Sequence, residues 1–461
     1  MRLPLWSTGP GRLEDAMSNA LTRSVALLVT IALLFFAGVT PAWAAVPDNQ
    51  QQLTNFDPPI NVTSGTGVSV STNPSTGKTL IAFIQPDATT TNGGMLVVGL
   101  LNASGALDGS LVEVSTTISS AGPDQYQPPY LAAGLDGSWL VVWPFANATN
   151  GIAGQIISAS GTLSGANFYV SDDLYSNIET VAAAWSATDA RYLVTWKARV
   201  NERTVSLGAL NDQQIVGQFV NGTGSLIGSN FLISNLLDGV NDSQGVAFGN
   251  GIWIAVFSEN GEFPTGQLVT AAGLLGTAFR LSSDESQSYY APRVVYNSVT
   301  QQFLVSFWED DGEDSKHLRL LTGDGSPLGS DTVYVAGGAR PVFGVSGASG
   351  YVMTWHISGK VWAQAFDATL NLVGERYQVS NDALNAFRPE ISCTDGGFMF
   401  AYWGAAGGVS NIYSNLVAGD CGFALPATNR AGSIWTTTLA ILAGLTAAAG
   451  IGLRMRGATR T

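Results

Sequence analysis

Two cysteines, two histidines and a charged fraction of 12% are very little for a chain of 461 residues, and each scarcity closes off a chemistry. His317 and His356 stand far apart, with no cysteine or carboxylate at ligand spacing, so neither a zinc centre nor a Ser–His–Asp arrangement is spelled out. No Walker loop, no dinucleotide fingerprint and no SxDxGxTW aspartate box occurs. Basic side chains are outnumbered 20 to 34, a net charge of -14, and the arginines gathered at the two ends leave the middle more acidic still. Nucleic acid is therefore a poor partner. What the chain has instead is 46% apolar residues, 54 glycines and 12 tryptophans, a composition that excludes disorder and favours a packed, turn-rich fold.

The two ends read as membrane signals. Arg23 precedes the apolar run "SVALLVTIALLFFAGV", and "TPAWAA" supplies small residues at Ala42 and Ala44, the pattern of an export signal over residues 1–44 cleaved after Ala44. The residues before Ser18 are unlike the start of such a signal, and Met17 is the alternative first residue. After a linker at 422–432, residues 433–453 carry no charge, and 21 helical residues at about 1.5 Å each span roughly 30 Å of hydrocarbon. Arg454, Arg456 and Arg460, in the tail 454–461, are expected on the cytoplasmic side, which leaves the middle of the chain outside. The expected location is the cell surface or the outer face of a membrane. The expected domain is 45–421, and it is expected to be a monomer.

That middle is repetitive. "GQIISASGTLSGANFYVS" at 154–171 returns as "GQFVNGTGSLIGSNFLIS" at 217–234 and, more faintly, as "AQAFDATLNLVGERYQVS" at 363–380. Ahead of such phrases comes a pentad that ends on an aromatic, at Phe83, Trp143, Trp196, Phe257, Phe307, Trp355 and Tyr402. Seven copies spaced by 60, 53, 61, 50, 48 and 47 residues are the mark of a propeller or solenoid. Apolar and aromatic residues on both faces make each pentad a strand buried on both sides. A further strand precedes it, opened in four units by Pro129, Pro292, Pro341 and Pro389, where a ladder N–H is not needed. Two strands follow, separated at Gly105, Gly161, Gly224, Gly273 and Gly325, with a second glycine a few residues on at Gly109, Gly165, Gly228, Gly329 and Gly374.

The expected fold is all-β: a seven-bladed β-propeller of four-stranded antiparallel blades. The seventh unit lacks a fourth strand, and "INVTS" at 60–64 matches the missing pattern, so it is expected to close the ring from the N-terminal side. Gln155, Gln218, Gln267 and Gln364 share one repeat position and are expected to link neighbouring blades. Cys393 and Cys421 both fall in the last unit, and an exported chain favours a disulfide between them.

The repeat of proline, short strand, turn, aromatic pentad and "GQ" with a later glycine resembles a degenerate repeat of exported bacterial proteins of unknown role, over about residues 60–418. The shared residues are structural ones, so the resemblance supplies no site. "LPATN" at 425–429, ahead of the apolar span and arginines, resembles a sortase sorting signal, except that Asn429 stands where that family has glycine.

Candidate sites come from local clusters. Lys197, Arg199 and Arg203, read as part of a long loop at 197–213, form a basic group able to grip a carboxylate. Tyr289, Tyr290, Trp308 and Trp403, read as exposed aromatics at loop starts, suit stacking on sugar rings. Glu309, Asp310, Asp311, Glu313 and Asp314 offer oxygen ligands to calcium, although a polar turn of this composition needs no ion and no other cofactor is implied. Two functions fit: a surface-anchored module whose loops bind an extracellular protein or glycan, or a polysaccharide hydrolase or lyase, which would need paired carboxylates at the channel.

Overall fold

The structure is a computed structural model that describes residues 49–56, 67–86, 94–116, 128–146, 150–171, 175–200, 213–234, 245–259, 263–284, 287–309, 314–335, 337–338, 341–346 and 350–419. Among them, 28 strands form seven antiparallel sheets of four. The first strands of the blades, Val68–Thr72, Tyr130–Ala133, Tyr175–Ser186, Gly245–Gly249, Tyr289–Asn297, Val342–Ser346 and Asn385–Thr394, each neighbour the first strands before and after. The strand of blade one also neighbours that of blade seven, so the ring is closed. The expected signal segment 1–44, the span 433–453 and the tail fall outside the described residues. Among the described residues no helix is long and apolar enough to cross a membrane.

The pentads explain why blades stack. Trp143, Trp196, Phe257, Phe307, Trp355 and Tyr402 are fully buried, as are Trp139 and Trp253 at the head of their own pentads. The apolar layers lie between blades, for example Trp139 and Val141 of blade two against Leu80 and Ala82 of blade one. A blade alone would leave both faces in water, so the same pentad must recur in every neighbour. Polar atoms at the layer edges are used as well. The Trp139 and Trp253 indoles donate to Ser71 O and Ala184 O of the preceding blades at 3.1 and 3.0 Å.

The recurrent glutamines correct an expectation. Gln155 Nε2 donates to Ile156 O, Ser164 O and Gly165 O, all within its own blade, and Gln218 Nε2 does the same with Phe219 O, Ile227 O and Gly228 O. These bonds fill a β-bulge between the third and fourth strands, where Gly165 and Gly228 take φ of 77° and 72°. A Cβ at either glycine would meet nothing within 4 Å, so the backbone angle alone selects glycine there. The link between blades is made by an asparagine twelve residues on. Asn167 donates to Gln155 Oε1 and to Val114 O of blade one, and Asn230 to Gln218 Oε1 and to Val170 O of blade two. In blade five the pair becomes ionic: Arg319 and Asp331 take the two positions, 3.5 Å apart, and Arg319 donates to Leu281 O of blade four. Replacing Gln218 by leucine is expected to cost about 2–3 kcal/mol in urea unfolding, because three carbonyls and Asn230 lose a buried partner together. An unchanged midpoint would show that the bulge holds without it.

Closure also differs from expectation in one detail. The fourth strand of blade seven is Gln51–Gln52, paired with Tyr413 and Ser414 of the third strand Val409–Ala418. It is not 60–64, a segment that lies outside the described residues. Pairing continues past the strand, with Leu53 N donating to Ile412 O and Ile412 N to Thr54 Oγ1. Leu53 and Phe56 then enter the apolar layer shared with blade one. The prolines divide into two kinds. Pro129 and Pro341 stand just before their strands, whereas Pro292 and Pro389 lie inside theirs, each at a bulge where a missing N–H costs no ladder bond.

Candidate functional site

The seven first strands enclose a lumen of about 380 Å³. Most of its wall is apolar or small, as expected of strands that pack on both sides. Besides the small Ser69 and Thr180, five larger polar side chains interrupt it: Tyr130, Arg293, Arg388, Glu390 and His356. Three of them share one level. Tyr130 pairs with Val142, Arg293 with Ser306 and Glu390 with Ala401, in each case the residue just before the aromatic that ends the pentad. The corresponding residues of the other four blades are Ser69, Ala182, Gly245 and Val342, all short, so the level is open except where these three reach in.

The two internal prolines position this group. In blade five Ala291 and in blade seven Arg388 adopt left-handed backbone, φ 46° and 51°, immediately before the proline, and the register resumes at Arg293 and Glu390. A non-glycine residue in that region stores strain, and Arg388 carries it while lining the lumen.

Electrostatics tie the three together. Burial pushes the Glu390 carboxyl up to about 7, and the Arg293 charge pulls it partly back. Burial raises the Tyr130 phenol to about 12, with the Glu390 charge adding to the rise and Arg293 opposing it. Glu390 keeps intermediate exposure, but to the lumen; protein surrounds it otherwise. Among the described residues, the lining holds two arginines and one carboxyl, in a chain whose total is -14.

The residues singled out in the sequence lie elsewhere. Lys197 is buried (5% exposed) and, with Arg199, belongs to the second strand Arg191–Val200, not to a loop, because the pairing with Gln213–Asn221 runs out to Arg199. Arg203 is outside the described residues. Tyr289 (1% exposed) and Trp403 (fully buried) are core, contrary to the exposure expected of them. Tyr289 packs edge-on against Phe307 and His317, and Trp403 stacks on Phe56 with ring centres 6.0 Å apart. Only Tyr290 and Trp308 keep intermediate exposure, tilted against each other at 5.2 Å. Of the acidic cluster, Asp310, Asp311 and Glu313 are outside the described residues. Glu309 Oε2 is bonded to His317 Nε2 at 3.0 Å, and Asp314 Oδ2 accepts from Gly338 N at 3.1 Å, so both carboxylates already serve the protein. Among the described residues no three His, Cys, Asp or Glu side chains are grouped as metal ligands would be. Cys393 is buried in the first strand of blade seven, and Cys421 is outside the described residues.

The lumen residues had a signal that pentad counting passes over. "PYLAA", "PRVVY" and "PEISC" each place a large polar side chain directly after the proline of an otherwise apolar strand.

No protein-family model matches the chain, and no curated protein matches its sequence. Among solved structures, the BP39L lectin from Burkholderia pseudomallei aligns with 77% of this chain and 97% of its own, at 12% identity and a TM-score of 0.51. The β-propeller domain of the Trilobed protease from Pyrococcus furiosus aligns with 79% of this chain over its whole length, at 10% identity and 0.43. Trypanosoma rangeli sialidase in complex with the inhibitor DANA aligns with 69%, at 10% and 0.42, and the match spans only 57% of that chain. Identities this low speak for fold alone, and the seven four-stranded sheets closed into a ring are themselves the architecture of a β-propeller.

Proposed function

We propose that this chain is an exported, membrane-anchored binding module, and that its ligand, an extracellular glycan or peptide, enters the lumen. One observation carries the reading: Tyr130, Arg293 and Glu390 arrive from three blades at one level of the lumen, where the other four blades present only short residues. A cavity of a few hundred Å³ with mostly apolar walls and a few convergent polar groups is the usual form of a small-ligand site. Fold likeness to a lectin is consistent with a glycan ligand. The hydrolase reading is weaker, since it needs a second carboxylate, and Glu390 is the single one lining the lumen among the described residues. Anchoring rests on the apolar span 433–453 with its arginines, export on residues 1–44, and a Cys393–Cys421 bridge would fasten the last blade.

The test is a glycan and peptide array probed with the full chain in mild detergent, wild type against Tyr130→Ala. Bound spots that dim more than about tenfold in the variant place the ligand in the lumen, the loss expected when one central aromatic contact is truncated. Spots of equal brightness would move binding to the outer loops, and a blank array would end the module reading.

A further inference from the structure

We propose that the lumen is a site for a small carboxylate-bearing ligand held by Arg293 and Arg388, with Glu390 as a built-in counter-ion that yields Arg293 to the ligand on taking up a proton. The inference rests on the lumen being the binding site and names its ligand class and its control.

The charge arrangement leads here. Two guanidiniums line a narrow space with one carboxyl, and a planar carboxylate is the anion whose two oxygens match a guanidinium fork. A neutral sugar would bring no charge into the space that both guanidiniums line and would still have to displace water there, which low-dielectric surroundings make costly. A carboxylate removes that cost, but only if Glu390 does not compete. An ionised Glu390 opposes a second anion at the same level, whereas its protonated form repels nothing and can donate a hydrogen bond. Glu390 is poised for this exchange because burial has brought its carboxyl to about 7, while a ligand carboxylate stays ionised well below that.

The strands around Glu390 bring few rival titrating groups among the described residues. Blade two contributes Tyr130, which stays protonated across the relevant range, and blade five contributes Arg293. Blade seven carries Arg388 beside Glu390, and the second strand of blade six, Gly350–Ile357, contributes His356. Blades one, three and four, and the first strand of blade six, line the lumen with Gly67 to Val70, Thr180, Val181, Gly245, Val246, Val342 and Phe343, none of which titrates. Among the described residues that line the lumen, His356 is the other group whose proton could mimic the effect, and the experiment separates it.

Calorimetric titration of the full chain with glucuronate, N-acetylalanine and glucose, at pH 6 and pH 8, tests the idea. The carboxylate probes are expected to bind about tenfold more weakly at pH 8 than at pH 6, with uptake of about one proton per ligand at pH 8, as linkage to a single group near 7 requires. Glucose is expected to bind more weakly than either, without pH dependence. Glu390→Gln should hold the pH 6 affinity at both values, while His356→Gln should keep the tenfold dependence. Arg293→Gln and Arg388→Gln should each lose about tenfold or more at both. A glucuronate preference names a glycan acid as the source and an N-acetylalanine preference a peptide end; either supports the proposal. It is overturned if the dependence survives in Glu390→Gln, if it disappears in His356→Gln, or if glucose equals the acids. Should all three probes fail while array ligands bind, the inference falls and the module stands; if neither binds, both fall.

Discussion

Glu390→Gln is expected to raise the unfolding free energy at pH 8 by about 2–3 kcal/mol and to change it little at pH 4.5. The sign follows from where the proton resides. In the folded chain the Glu390 carboxyl is pushed up to about 7 by burial, against its ordinary 4.5. Between those two values the native state holds a proton that the unfolded chain releases, so stability falls as pH rises through the window. Below it both states are protonated, and above it the native state bears the full cost of a carboxylate kept from water. Glutamine resembles the protonated form in shape and charge, so it removes that cost without disturbing the acid limit. Arg293 does not reverse the argument, because its attraction is already part of the net rise, and burial is the larger cause. Urea unfolding of both proteins at pH 4.5, 6 and 8 checks it. The two stabilities should diverge with rising pH, and parallel curves would mean that Glu390 is solvated like a surface carboxylate. A destabilising carboxylate at this level of the lumen is what the proposed ligand-binding role of Glu390 requires.

The reason the blades were legible and the lumen was not is physical. A pentad such as "WLVVW" is buried on both faces by neighbours of its own kind, so its period and its aromatic end are written wherever a blade occurs. Gly161 and Gly224, at φ 78° and 89°, are equally local, because a turn constrains the residue that makes it. Tyr130, Arg293 and Glu390 belong to blades two, five and seven, with two blades of sequence between the first pair and one between the second, and only ring closure brings them to one level. A single polar residue after a proline carries no information on what stands opposite it. The aromatics mislead for a related reason. Trp308 and Trp403 occupy the same repeat position, yet Trp403 is covered because Phe56 comes across from the far end of the chain. The closing strand itself is short and polar, "QQ", and is held largely by side chains rather than by strand propensity. Gln50 Oε1 accepts from the Tyr402 hydroxyl at 2.8 Å and from Asn381 N at 2.9 Å, and Gln52 Oε1 accepts from the Tyr413 hydroxyl at 3.3 Å. A search for β-branched alternation passes over such a segment and stops at 60–64.

Truncating that closure is expected to have the largest effect of any pair of substitutions at the ring's ends. Leu53→Ala combined with Phe56→Ala should lower stability by about 4–6 kcal/mol, somewhat less than the two separate core truncations added together, since both side chains share one layer. The loss should also be local in its first consequences. Thr54 Oγ1 donates to Asn411 Oδ1 at 3.1 Å, and Phe56 N is directed at the same oxygen at 3.4 Å; with the apolar anchors gone, little holds this network in place. The third strand of blade seven would then become an open sheet edge, while Ser392 and Ser414, bonded to Thr72 N and Gly105 O, would remain as polar ties from blade seven to blade one. Hydrogen exchange should therefore show the amides of Gly397–Ala406 and Val409–Ala418 losing protection ahead of those in blade three, whose two neighbours are covalently continuous with it. Leu372→Ala, a truncation of the same kind on the outer strand of blade six at a side chain 56% exposed, is the control and should change stability by less than about 0.5 kcal/mol. If exchange quickened evenly around the ring, or the double variant unfolded at the wild-type midpoint, the two-residue strand would be an ornament on a ring held shut by its inner strands.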